Sequence, residues 1–163
     1  MRYADARPTI KSGDRLAWTH RKWSSWYDFK VMMVRLFKMS EYSHVAFALV
    51  EDDRVFVVES VTPVVQRVPL SDHLPCYLLS GTGITDAQRL KAIGMLGKYP
   101  YSQLLAIWAG ILAIFGKQTS RHIKAMECAK FVNVVFDLPY PDTPSDFVAG
   151  ELTRGAALTE IQP

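Results

Sequence analysis

An α+β domain built on one antiparallel β-sheet is what the sequence predicts, on three observations. Short Val- and Phe-rich runs joined by polar turns fill the first half, capped helical patterns fill the second, and strands come before helices. The 163 residues suit a single domain over 1–163, long enough to bury a core, and 49% apolar against 21% charged residues is ordinary globular composition.

Ser12-Gly13-Asp14 is a turn signal leading into a strand over Arg15–Thr19. Residues 22–38 carry Trp23, Trp26, Tyr27, Phe29, Met32, Met33 and Phe37 without Gly or Pro, and read as a helical insertion. Core packing explains those aromatics most simply, and a substrate- or lipid-facing helix is the sharper alternative. Ser43–Val50 and Val55–Ser60 are the clearest strands, and the polar turn Glu51-Asp52-Asp53-Arg54 between them makes a β-hairpin. Val64–Val68 and Tyr77–Ser80 are further strands. Thr85-Asp86-Ala87-Gln88 matches a capping box, opening a helix to about Gly97 with Leu90, Ile93 and Leu96 facing inward.

Residues 99–116 hold no charged side chain before Lys117, and their most apolar part, Leu104–Phe115, is about 12 residues long. That is short of the roughly 20 needed to cross a bilayer, so the segment reads as a buried helix, with peripheral membrane contact as the alternative. Glu127–Phe136 is helical and stops before Asp137-Leu138-Pro139, and Thr143-Pro144-Ser145-Asp146 opens a short capped helix with proline in its first turn.

Composition excludes some functions. A net charge of +3 with no basic block gives nothing to track a phosphate backbone, so no nucleic-acid partner is expected. The stretch Met1 to Pro8 has no apolar core of a secretory signal, which points to the cytoplasm and to reduced cysteines. Cys76 and Cys128 are too few for a structural zinc site, no His/Cys spacing suggests a metal, and no glycine loop cradles phosphate; no cofactor is expected. The sequence leaves the oligomeric state undetermined.

The hairpin allows a geometric test. A loop centred on Asp52 and Asp53 pairs Val50 with Val55, Ala48 with Val57 and Ala46 with Glu59, so His44 shares a face with Glu59. Diagonal neighbours lie about 7–8 Å apart at Cα, within reach of a Glu–His hydrogen bond. Ala46 and Ala48 leave room on that face, and the Cys128 helix is the candidate to fill it. Cys128, Phe131, Val132, Val135 and Phe136 form one apolar stripe with Cys128 at its start. Two readings of Cys128 stay open: a nucleophile whose thiolate is favoured by the helix N-terminus and an imidazole, or a buried core thiol. Cys76 is most simply a core thiol; His20 and His73 fall in expected solvated loops, and nothing orients His122 as a rival base.

Taken in order, Gly13-Asp14, Tyr42-Ser43-His44-Val45-Ala46-Phe47, Val58-Glu59-Ser60, Glu127-Cys128-Ala129-Lys130-Phe131-Val132 and Thr143-Pro144-Ser145-Asp146-Phe147 resemble the circularly permuted NlpC-type papain-like superfamily, in its YiiX/YebB-like branch. The resemblance implies a permuted papain-like fold, a β-sheet or barrel packed against helices with the nucleophile at a helix N-terminus. It implies Cys128 as nucleophile, His44 as base, Glu59 as the orienting residue and Tyr101 as a residue lining the oxyanion site. The sequence departs from the pattern at Ala46, Ser102 and Ala129. The activity implied is thiol hydrolysis of an amide or isopeptide through an acyl-enzyme, on a peptide, protein-conjugate or lipid substrate. Cys128-Ala129-Lys130-Phe131-Val132-Asn133 also resembles, more distantly, the cysteine motif of lecithin–retinol-acyltransferase-like proteins, which implies lipid acyl transfer or phospholipase activity instead. A catalytically silent binding module is the third reading.

Overall fold

The computed structural model describes residues 1–19, 41–61, 64–81, 83–98, 128–139 and 143–163. The expected insertion 22–38, the apolar segment 99–116 and the residues His20, Tyr101, His122 and Glu127 lie outside them.

Among the described residues the chain is α+β, one six-stranded sheet with four helices. The strands are β1 (Arg15–Trp18), β2 (His44–Glu51), β3 (Arg54–Ser60), β4 (Val65–Pro69), β5 (Cys76–Ser80) and β6 (Ala157–Ile161). Their spatial order is β4-β3-β2-β1-β5-β6, with every neighbouring pair antiparallel. The helices are α1 (Tyr3–Ala6), α2 (Asp86–Met95), α3 (Cys128–Phe136) and α4 (Pro144–Thr153). The hairpin has the expected register, Ala48 opposite Val57 and Val50 opposite Val55. Asp52 and Asp53 both adopt positive φ, 47° and 58°, which is what a two-residue turn between right-twisted strands demands and what Asp tolerates. The strands-then-helices order fails at two points: the short α1 precedes β1, and β6 follows α4 and adds itself to β5, a pairing that the local sequence of 157–161 does not announce.

Two apolar layers flank the sheet. On one side α3 and α4 cover Val45, Phe47, Leu49, Val58 and Leu79, with Phe47 stacked on Phe131 at 5.8 Å and edge-on to Phe136 at 5.1 Å. On the other, Ala6, Ile10 and Leu70 cover Leu16, Ala46, Ala48, Val57 and Leu78. The expectation that the Cys128 helix packs over Ala46 and Ala48 is therefore wrong. Side chains alternate along a strand, and α3 takes the large odd-numbered side chains, while the small alanines admit the N-terminal segment. A second correction concerns the inward face of α2, whose end at Met95 lies within two residues of the expected one. Its Leu90 and Ile93 are 69% and 42% exposed, and Ala92 and Met95 face the core instead. The capping box of Thr85 and Gln88 is present as expected, and Thr143 caps α4 by accepting the Asp146 amide at 3.1 Å.

Candidate active site at the end of strand β2

Gly13-Asp14 is a structural clamp at the far end of the sheet. The Gly13 amide donates to Ala48 O at 2.8 Å, and the Asp14 carboxylate accepts the amides of Lys11 at 2.8 Å and Gly81 at 3.3 Å. A Cβ on Gly13 would meet the Gly83 backbone at 2.6 Å, and its φ of +94° independently requires glycine. Ser145 of α4 has a comparable task nearer the site. Its Oγ accepts the amides of Glu41 at 2.7 Å and Tyr42 at 3.3 Å, tethering the chain just before it enters β2 at His44.

His44 is the first residue of β2 and lies opposite Trp18. Its Nε2 donates to Glu59 Oε2 at 2.8 Å, as the hairpin geometry predicted. The Cys128 sulfur is the second hydrogen-bond partner of the same imidazole. With Nε2 committed to Glu59, Nδ1 is the nitrogen left for the sulfur. Glu59 stands on the face opposite the α3 layer, so the three groups straddle the sheet and meet where β2 begins. Position at the strand end, not a shared face, brings the imidazole to Cys128.

The surroundings favour an ionic form. Burial works against the charged His44 ring, but the hydrogen bonds and charges of Cys128 and Glu59 outweigh it and push its pKa up to about 10. Glu59, 1% exposed, is shifted the other way. Burial alone would raise its pKa, and the His44 hydrogen bond and charge, the Gln66 amide and the His73 charge together bring it below the usual carboxylate value.

Cys128 is the first described residue of α3 and is buried, as both of its sequence readings allow. Cys76 opens β5 as a core thiol, and burial pushes its pKa up to about 12. Neither cysteine forms a disulfide.

His73 departs from the solvated loop expected for it. It ends a 3₁₀ turn, Leu70–His73, half-buried, with Nε2 3.8 Å from Glu59 Oε1. Trp18 links the two histidines: its ring centroid lies 5.4 Å from His44 and 6.4 Å from His73, and its Nε1 donates to His73 O at 2.6 Å. Gln66, whose Nε2 donates to Glu59 Oε1 at 2.8 Å, was missed by the sequence reading. The signal was available in principle, because Gln66 sits directly opposite Glu59 in the β3–β4 register. No periodicity announces His73, whose place depends on the path of the chain between β4 and β5.

No family model matches the chain, and no curated protein matches it. Among solved structures it is similar to one described as the metalloprotein yiiX of Escherichia coli O157:H7, at 20% identity and a TM-score of 0.51. The match covers 78% of this chain and 65% of that one, so this chain spans less than two thirds of its length. A YiiX-like fold is what that likeness supports. The metal in that description belongs to that protein. Among the described residues here, no three His, Cys, Asp or Glu side chains are grouped to hold a metal ion. No described helix is long and apolar enough to cross a membrane.

Proposed function

We propose that the chain is a thiol hydrolase of the peptidase or amidase type, with the permuted papain-like arrangement of the NlpC-type superfamily, acting in the cytoplasm on an amide or isopeptide bond. The observation that carries this reading is one imidazole, His44, shared between the Glu59 carboxylate at 2.8 Å and the Cys128 sulfur. An imidazolium between a carboxylate and a sulfur favours thiolate over thiol, because the charged pair gains more in a buried setting than the neutral one.

Cys128 then attacks the carbonyl carbon. Its sulfur forms the thioester, the amide C–N bond breaks, and the departing nitrogen takes the proton held by His44. In the second half, His44 removes a proton from water as the water attacks the thioester, and keeps it while the Cys128 sulfur leaves as thiolate and the acid is released, which restores the imidazolium–thiolate pair. Glu59 acts through His44, holding the ring in one tautomer and stabilising its charge. Tyr101 is proposed, from the family resemblance alone, to line the oxyanion site. A carboxylate as the third group supports the amidase reading over lipid acyl transfer, whose proteins commonly use histidine there.

The test is the pH dependence of iodoacetamide alkylation, with the labelled cysteine located by peptide mapping. Wild-type Cys128 is expected to react at pH 6 nearly as fast as at pH 8. His44→Ala should lose on the order of 100-fold at pH 6, since an unassisted thiol titrates near 8.5. A wild-type profile that follows a free thiol, or no labelling at Cys128, overturns the proposal.

A further inference from the structure

Glu59 has two histidines within reach, and the site works only if it serves one of them. His44 Nε2 donates to Oε2 at 2.8 Å, while His73 Nε2 stands 3.8 Å from Oε1, beyond hydrogen-bond range but close enough to compete. Between these alternatives stands the Gln66 amide, which donates to Oε1 at 2.8 Å from directly across the β3–β4 pair.

We propose that Gln66 is a positioning residue that commits the Glu59 carboxylate to His44 and denies it to His73, an inference that rests on the catalytic reading of His44 and Cys128. An amide suits this task. It donates without carrying a charge, so it fixes the carboxylate's rotation at every pH at which Glu59 is ionised. A lysine or arginine at that place would compete with His44 for the negative charge. With Gln66 in place both carboxylate oxygens are satisfied, as burial of an ionised group requires. Without its amide, Oε1 needs a new donor, and His73, approaching from the 3₁₀ turn, is the one at hand. The carboxylate plane then turns toward His73 and weakens the bond to His44. Among the described residues, the titratable groups around Glu59 are thus His44 from β2 and His73 from the turn, with Cys128 of α3 beyond His44. The neighbouring charges Arg67 and Glu51 pair with each other at 2.6 Å.

The variant pair that tests this is Gln66→Met, which keeps the length and removes the donor, and Gln66→Met with His73→Gln, which also removes the competitor. Two readouts are followed: the His44 ring titration by ¹⁵N NMR, and Cys128 alkylation at pH 6. Gln66→Met is expected to lower the His44 titration by about one pH unit and alkylation about tenfold, the effect of one hydrogen bond to a charged group. The double variant should recover most of both. A merely structural role would reduce thermal stability without moving the titration, and removing His73 would restore nothing. If Gln66→Met does not fold, Gln66→Asn, whose amide is one methylene short, replaces it. An unmoved His44 titration, or no recovery in the double variant, overturns the proposal. If the titration moves and recovers while wild-type Cys128 proves unreactive, Gln66 positions Glu59 as described and it is the hydrolase reading that fails.

Discussion

The molecule buries two glutamates to the same degree, Glu59 and Glu151 both at 1% exposure, and they live in opposite environments. Glu151 of α4 faces guanidinium groups: Arg154 Nη2 donates to its Oε1 at 2.9 Å, and Arg15 Nε lies 3.8 Å away. Arg15 itself lies 3.4 Å over the Phe136 ring and donates to Gly13 O. Burial pushes the Arg15 pKa down to about 10, against the pull of Glu151, which still leaves it charged at neutral pH. One Glu151 oxygen and Arg15 Nε have no hydrogen-bond partner among the described residues. Glu59, by contrast, has both oxygens bonded, and its main partner is an imidazole. A carboxylate held by permanent cations can fix strands and helices together but has no proton to move. A carboxylate held by histidine can tune a proton. Burial does not separate structure from chemistry here; the titratability of the partner does.

Two experiments sharpen that contrast, and a third tests the face that α2 buries. The largest effect is expected for Glu151→Ala. Removing one member of a buried ion pair typically costs about 3–5 kcal/mol, because the remaining charge is left uncompensated. Urea unfolding should show that loss while the pH profile of Cys128 alkylation stays where it is in the wild type. A shifted profile would mean that the two glutamates are coupled and the distinction is false.

Next comes the pH dependence of the His44 contribution to stability. Its folded pKa, about 10, lies above the unfolded value of 6.5. Its contribution is therefore fully present below about pH 6.5 and lost as pH rises through about 10. The Glu59 pKa is lowered from 4.5, so its contribution is present above about pH 4.5 and fades as pH falls through the folded value. The stability difference between wild type and Glu59→Gln should accordingly peak between about pH 4.5 and 6.5, and shrink toward both extremes. A difference that does not vary with pH would place Glu59 in the same class as Glu151. The smallest effect tests the α2 correction: Leu90→Ser should change stability by no more than about 0.5 kcal/mol, whereas Met95→Ala should cost about 2–5 kcal/mol. Equal losses would restore the inward face that the sequence suggested.

How much of this was legible beforehand follows from the range of the interactions. The strand positions, the hairpin register and the Glu59–His44 bond were readable because a two-residue turn fixes pairing, and pairing fixes faces. Both helix caps were readable because a cap is settled within four residues. The α2 face was misread because Leu90 and Ile93 obey the helical period while the surface that α2 meets selects Ala92 and Met95. The Cys128 helix was assigned to the wrong face for a similar reason: small residues suggest room without saying who occupies it.

By itself, then, the sequence determined the antiparallel hairpin that joins His44 to Glu59, the apolar stripe that begins at Cys128, and the α+β class, all of which depend on local periodicity and turn chemistry. Only the tertiary structure decided that Cys128 reaches His44 around the strand end, that β6 returns to close the sheet beside β5, and that Gln66 and His73 converge on Glu59. Those contacts join residues whose meeting is set by how whole elements pack, and no pattern within one element carries that information.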